Sequence, residues 1–307
     1  MKKILFIGIG KKNSSQQRLV ATLENKGIEH LYVKWSDLSF LGQRVFASAE
    51  EIPFAEIGTV FFDIPRFFVN TIGAGGEKTG FEFVFENELQ ILLTILKEKN
   101  IYAPNCDFLL NYPFYNKFSQ SYIFDRNNIP SIPTLHINDN KITKVLPLME
   151  KHAIGFPLVA KESCGGKGDK VWKIKSEAEL AAFIENRRKV NIIFQPYIEN
   201  DADFRVIVID NKCMGIMKRS AKKGEWKNNF SLGGMVGKHT DPAMEKFAIE
   251  SCQKMGLDVA GLDIFSTDEG YVIIEANLFF GLDGFESVFT NVDVPADIMN
   301  LLIKNNH

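Results

Sequence analysis

The stretch Val259 to Asn277, VAGLDIFSTDEGYVIIEAN, constrains the fold of this 307-residue chain more than any other segment. Two runs with strand-like alternation flank Asp268-Glu269-Gly270, which reads as a three-residue hairpin loop with glycine where φ must be positive. With Thr267 opposite Tyr271, the ladder places Phe265 opposite Ile273 and Asp263 opposite Glu275, and Asn277 lies two residues further along the same face. The other face would carry Leu262, Ile264, Val272, Ile274 and Ala276 into a core. Two carboxylates directly opposed repel each other, so a cation is expected between them. The all-oxygen set Asp263, Glu275 and Asn277 suits Mg2+ or Mn2+ far better than zinc. A hairpin whose polar residues only face water fits this stretch equally well when it is taken alone.

The length allows two or three compact units, and 45% hydrophobic with 24% charged residues is ordinary for a soluble globular protein. A net charge of −2 leaves no overall electrostatic footprint for nucleic acid or an anionic membrane. The start MKKILFIGIG breaks into KKNSSQQ without a small-residue cleavage site, so it reads as a first core strand. No apolar run approaches membrane-spanning length. Cys106, Cys164, Cys213 and Cys252 are scattered without a CxxC, as expected of reduced thiols in a cytoplasmic protein.

Lys2 to Ile9 is a continuous apolar strand of the parallel kind covered on both faces, followed by a helix with Leu19, Val20 and Leu23 on one side and Gly27 at its end. Further strands are expected near Glu29 to Val33 and Thr59 to Ile64, then a helix near Glu82 to Lys99 with Phe85, Leu89, Leu92 and Leu96 on one stripe. Together these make an open α/β unit over residues 1–110. Gly8-Ile9-Gly10 hints at dinucleotide binding, but Asn13 stands where the third glycine of GxGxxG belongs. Beyond Asn111, short strands and glycine-rich loops alternate with two capped helices, one opening with the capping box Ser176 to Glu179, the other with Asp241 and Pro242. That pattern is α+β.

Phe156 to Ser163 and Lys170 to Ile174 read as strands joined by Cys164-Gly165-Gly166-Lys167-Gly168-Asp169. Such a loop can close over phosphates, offering backbone N–H groups where side chains would block approach, and Lys161 could reach the same phosphates. An ordinary hairpin with a loose turn is the plainer alternative. The break Pro196-Tyr197-Ile198-Glu199 after the strand Asn191 to Gln195 exposes backbone groups where an adenine edge could bind. Asp203-Phe204-Arg205 opens a strand that pairs with Cys213 to Ser220 through a turn at Asp210-Asn211. Lys218, Arg219, Lys222, Lys223 and Lys227 then form a basic run upstream of the acidic trio, either a solvated face or the arrangement that a polyphosphate with a metal needs.

Taken in order, FPLVAKESCGGKG (156 to 168), QPYIENDADFRVIVI (195 to 209), MKRSAKKGEWKNNFSLGG (217 to 234), and GLDVAGLDIF with IIEAN and GLDGFE (256 to 286) resemble the ATP-grasp ligases, and among them the RimK-like carboxylate-amine ligases. The resemblance implies an α/β N-terminal domain followed by an α+β ATP-grasp fold, with lobes at 111–195 and 196–307 gripping ATP. It implies that Lys117 and Lys161 contact ATP phosphates under a loop formed by Gly165, Gly166, Lys167 and Gly168. Gln195, Tyr197 and Ile198 would line the adenine site, with Asp203 near the ribose and Asp263, Glu275 and Asn277 holding Mg2+. Arg205 and Arg219 would face the substrate carboxylate and the charge that develops during transfer. Lys117 is otherwise read as an exposed helix lysine. The implied activity is ATP-dependent, ADP-forming amide or peptide bond formation through an acyl phosphate, the alternative being a catalytically weak ATP-binding module. The implied partners are a small-molecule or peptide carboxylate and an amine, with homo-oligomerisation left open. Two positions depart from the family pattern. Phe280 stands where proline is usual, which alters the substrate side, and Leu232 replaces an arginine common in glutamate-adding members.

Overall fold

In the computed structural model, the described residues are 1–8, 14–63, 70–72, 78–80, 83–163, 170–187, 191–221 and 234–307. The first strand, β1 (Lys3–Gly8), is apolar from Ile4 to Ile7 because both of its faces are covered. Ile4 and Phe6 join a cluster with Leu19 and Leu23 of α1 (Ser14–Asn25), while Leu5 and Ile7 join one with Leu92 and Leu96 further on. All four strand residues are fully buried, each contributing about 1.5–3 kcal/mol. β2 (His30–Lys34) and β6 (Ile57–Asp63) flank β1 in parallel, in the order β2-β1-β6. Between them, β3 (Leu38–Leu41), β4 (Arg44–Ala47) and β5 (Glu50–Glu51) form a small antiparallel meander that the sequence reading passed over. β7 (Asn70–Ile72) pairs with β8 (Lys78–Gly80), and α2 (Phe83–Glu98) and α3 (Cys106–Asn111) complete this part.

α4 (Lys117–Arg126) leads into a sheet of order β11-β10-β12-β9, formed by β9 (Leu135–His136), β10 (Leu158–Glu162), β11 (Val171–Ile174) and β12 (Ile192–Pro196). α5 (Ile142–Lys151) and α6 (Glu177–Glu185) cover one face, packing Val145, Met149, Leu180 and Ile184 on Leu158, Ala160 and Phe194. Strand alternation therefore turns Lys161, Ile193 and Gln195 to the other face.

A second antiparallel sheet, of order β15-β14-β13-β16-β17, comprises β13 (Ala202–Ile209), β14 (Lys212–Ser220), β15 (Met235–His239), β16 (Val259–Thr267) and β17 (Gly270–Asn277). α7 (Pro242–Met255) covers one face, burying Met244, Ala248 and Cys252 against Val206, Ile216 and Leu262. The chain ends with α8 (Asp283–Val288) and α9 (Val294–Lys304). α9 returns to the first sheet, where Ile298 and Leu302 share a cluster with Leu19 and Leu23 of α1. Arg18 of α1 fixes this docking through Glu286 at 2.7 Å and Asp293 at 2.9 Å.

The central hairpin differs from expectation in an instructive way. Thr267 pairs with Gly270, so the turn holds two residues, Asp268 and Glu269, rather than three. Gly270 still takes a positive φ, +120°. A register slip of this kind would turn the far end of β17 over, but the ladder shifts again between Asp263 and Ile264, and that bulge restores Asp263 opposite Glu275. The core positions move with it. Ile273 lies buried opposite Ile264, whereas Val272 and Ile274, expected in the core, are half-buried. The amide of Ile273 donates to the Pro130 carbonyl at 2.9 Å, which anchors the shifted segment.

Two helices were expected beyond Asn111. The structure adds α4, α5, α8 and α9, whose apolar positions only acquire partners from other parts of the chain. α6 opens with half of its expected box: Ser176 Oγ accepts from the Glu179 amide, while the Glu179 carboxylate takes the Lys175 amide instead of the N-cap amide.

Candidate functional site

The face of the second sheet turned away from α7 holds a buried ion cluster. Asp203 and Arg219 are cross-strand partners on β13 and β14, and Arg205 and Asp263 are partners on β13 and β16. Arg205 donates Nε to Asp263 Oδ1 at 2.5 Å and Nη2 to Oδ2 at 2.8 Å. Arg219 bridges the acids, donating Nε to Asp203 and lying 3.0 Å from Asp263 Oδ1 through Nη2. Burial would push the Asp263 carboxyl up, but Arg205 and Arg219 outweigh it and hold the pKa at about 2. For Asp203 burial wins, and with repulsion from Asp263 it raises the carboxyl above its usual range despite Arg219. Burial lowers the tendency of Arg219 to hold its proton, yet Asp263 and Asp203 more than offset this.

Glu275 joins this cluster to a cleft between the two antiparallel sheets. It stands opposite Asp263, and Lys117 Nζ lies 3.6 Å from its Oε1. The cleft is lined by Lys117, Lys161, Gln195 and Glu275, together with Gln120 and Thr134. α4 positions Lys117: Asn116 caps the helix in a complete box with Ser119, the Lys117 amide donates to the Ser163 carbonyl, and Gln120 Oε1 accepts from the Ala276 amide at 2.9 Å. Tyr115 Oη donates to the Ala276 carbonyl, so both backbone groups of the residue between Glu275 and Asn277 are held from this segment. The Lys117 side chain is only 11% exposed, which overturns the exposed-lysine reading. Burial drives the Lys161 pKa down to about 8, with Glu275 opposing and Lys117 adding to the fall. Gln195 Nε2 donates to Thr134 Oγ1 at 2.7 Å, while its Oε1 is buried without a partner.

Eight of the expected side chains thus fall into one connected region: Lys117, Lys161, Gln195, Asp203, Arg205, Arg219, Asp263 and Glu275. Asn277 pairs with Gly261 at the end of the same ladder, and its Nδ2 is buried without a partner. Tyr197 and Ile198 are half-buried in the connection from β12 to β13, where Lys173 Nζ lies 3.3 Å from the Tyr197 ring centroid. Gly165, Gly166, Lys167 and Gly168 lie outside the described residues, as do Asn13, Lys222, Lys223, Lys227 and Leu232. Tyr115, Gln120 and Thr134 were not anticipated. The Asn116-to-Ser119 spacing was the one local sign that a helix begins there.

Among the described residues no three His, Cys, Asp or Glu side chains gather into a metal-binding group. Asp263, Glu275 and Asn277 all offer oxygen donors, the kind a hard cation takes, although both oxygens of Asp263 are engaged by Arg205 and Arg219. Glu275 is engaged only by the 3.6 Å contact with Lys117 among the described ion pairs, and so retains acceptor capacity. Burial pushes the Cys106 and Cys213 thiols up to about 11 and Cys252 to about 12, which removes them as thiolate nucleophiles at neutral pH. No helix among the described residues is long and apolar enough to cross a membrane.

Comparison with known proteins places these features in context. The sequence pattern of the RimK-like ATP-grasp domain matches residues 115–302. A probable alpha-L-glutamate ligase of Shewanella baltica is 36% identical over 156 residues, which is 49% of this chain and 52% of that protein. The chain therefore spans about half the length of the curated relatives it matches. Among solved structures, the ATP-grasp ligase PsnB complexed with a minimal precursor, Mg and ADP superposes with a TM-score of 0.72 at 17% identity, over 99% of this chain and 97% of that one. The RimK domain protein ATP-grasp from Sphaerobacter thermophilus superposes with a TM-score of 0.66 at 15% identity, over 97% and 98%. These superpositions establish the fold, an α/β unit followed by an α+β ATP-grasp.

Proposed function

From the premise that the chain belongs to the RimK-like ATP-grasp family, we propose that it is an ATP-dependent, ADP-forming ligase that joins a carboxylate to an amine. The observation that carries this reading is the convergence of Lys117, Lys161, Gln195 and Glu275 on one cleft that ends at the Arg205, Arg219 and Asp263 cluster. A carboxylate does not react with an amine in water, because oxide is a hopeless leaving group. In the proposed reaction a carboxylate oxygen bonds to the γ-phosphorus while the bond to the β,γ-bridging oxygen breaks, giving an acyl phosphate and ADP. The amine then attacks the acyl carbon, phosphate departs with the electron pair of the C–O bond, and the amine nitrogen loses a proton.

Each side chain has a physical part in this. Lys117 and Lys161 oppose the phosphate charge, and the free acceptor of Gln195 meets the exocyclic amino group of the base. Arg219, and Arg205 beside it, face the carboxylate and the oxyanion formed in the second step. Asp263, Glu275 and Asn277 would hold Mg2+, which supplies charge neutralisation at the phosphates. The region needs no side-chain nucleophile, consistent with the raised cysteine pKa values. A second reading, an ATP-binding module with little turnover, is favoured by one feature: both oxygens of Asp263 already accept from arginines.

One assay separates the two. ADP release should be slow with Mg-ATP alone and rise when a carboxylate from a panel of amino acids, peptides and dicarboxylates is added, with hydroxylamine trapping the acyl phosphate as a hydroxamate. Saturable Mg-ATP binding with neither acid-dependent ADP nor hydroxamate across that panel would leave the binding module standing.

A further inference from the structure

A cavity of about 200 Å3 lies beyond Asn277, between the first α/β unit and the second sheet, lined chiefly by Phe61, Leu109, Leu278, Phe279, Phe280 and Leu282. It adjoins the charged cluster through Phe280, which lines the cavity on one side. A Cβ built on Gly261 would stand 3.1 Å from Phe280 Cγ and 3.3 Å from Arg205 Cδ, so the Phe280 ring and the Arg205 stem meet over the glycine that pairs with Asn277. A carboxylate held at Arg205 would therefore have Phe280, which also lines the cavity, as its apolar neighbour. The volume is sufficient for a ring, since a cavity of about 150 Å3 lined by Leu, Ile and Phe takes up benzene.

The lining offers little to a polar substituent. Asn105 is the chief polar group inside, and its Oδ1 already accepts the Asp258 and Val259 amides while its Nδ2 donates to the Val259 carbonyl. The ionisable side chain among the lining residues is Asp283, which is exposed and would repel a second carboxylate. Burying a charged or amide-bearing substituent against Phe and Leu without hydrogen-bond partners is strongly unfavourable.

We propose that this cavity is the side-chain subsite of the acid that is activated, and that this acid carries an apolar substituent, isobutyl to benzyl in size. The inference rests on the ligase reading for its location, and on Phe61, Leu109, Leu278, Phe279 and Phe280 for its chemistry.

The test uses carboxylates bearing hydrogen, isobutyl, benzyl or carboxyethyl at the same carbon, each with and without an α-amino group, in the acid-dependent ADP assay. The isobutyl or benzyl acid should exceed the carboxyethyl acid in kcat/KM by roughly tenfold or more, as burial of that much apolar area requires. Phe280→Ala should shift the preference to larger substituents and Leu109→Phe to smaller ones, with Mg-ATP affinity, read separately, confirming that both variants fold. A preference for the carboxyethyl acid, or a rank order unmoved by both variants, overturns the proposal. A second readout does not depend on turnover: the 19F line of 3-(4-fluorophenyl)propanoate, measured with the full chain and Mg-ADP, should broaden and be restored by excess 4-methylpentanoate but not by glutarate. Broadening without any acid-dependent ADP would sink the ligase reading while retaining the apolar subsite. Absence of broadening, or equal displacement by glutarate, would remove the subsite itself.

Discussion

Arg205 on β13 and Asp263 on β16 stand directly opposite each other and share two hydrogen bonds, at 2.5 and 2.8 Å, while Glu275 faces Asp263 from the other side with only a 3.6 Å contact to Lys117. The two carboxylates expected to act together are thus held very differently. Asp263→Asn removes the shared counter-charge of two arginines and should lower stability by about 3–5 kcal/mol, the usual result of breaking a buried pair. Glu275→Gln should lower it by less than about 1 kcal/mol. Both should abolish Mg2+-dependent ADP formation. Urea unfolding beside the ADP assay checks this, and equal stability losses would mean that the cluster is not organised on Asp263.

Asp263 also sets an acid limit. Its folded pKa, about 2, lies below the ordinary 3.8, so the folded state holds fewer protons between those values. The resulting stability, roughly 2 kcal/mol, is present above pH 4 and lost as pH falls toward 2. Unfolding free energies measured between pH 5 and 2 should lose part of their slope in Asp263→Asn. An unchanged acid profile in that variant would assign the loss to other carboxylates.

Lys161 has the opposite sense. Its pKa falls from 10.5 to about 8, so between those values the unfolded chain binds more protons and stability rises with pH. A bound polyphosphate would restore the proton, and Mg-ATP affinity should therefore fall by up to tenfold per pH unit above about 8, with proton uptake on binding. Calorimetry in buffers of different ionisation enthalpy measures that uptake directly. Lys161→Met should weaken binding and flatten the pH dependence. Retention of the full dependence in that variant would place the titrating group elsewhere.

Gln195 offers a test of base recognition. Thr134 fixes its Nε2, leaving the unpartnered Oε1 as an acceptor in the cleft. Adenine presents an amino group to such an acceptor and guanine a carbonyl, so ATP should bind about tenfold or more tighter than GTP, a difference reduced in Gln195→Leu. Competition binding with both nucleotides decides it, and equal affinities in the wild type would remove Gln195 from base recognition.

The sequence by itself determined the parts whose physics is local. Alternation over 259–277 marked the two strands of the hairpin and brought Asp263 and Glu275 to the same end of it, the apolar run at β1 announced a strand covered on both faces, and Asp241 with Pro242 marked the start of α7. Tertiary structure decided what depends on distant partners. The Pro130 carbonyl accepts from Ile273, and the bulge beside it lets a two-residue turn keep the acidic pair in register; neither follows from the hairpin sequence. α4 has an amphipathic pattern too weak to read, yet docking against Ser163 and Ala276 buries Lys117 in the cleft. α9 reaches the first sheet because Ile298 and Leu302 find Leu19 and Leu23 of α1, from the other end of the chain, with Arg18 pairing to Asp293 and Glu286 at the rim. The cavity beside Phe280 is likewise assembled from β6, α3, β16 and the segment after β17, segments whose meeting no local propensity encodes, because their contacts are long-range in sequence and form only when the sheets pack.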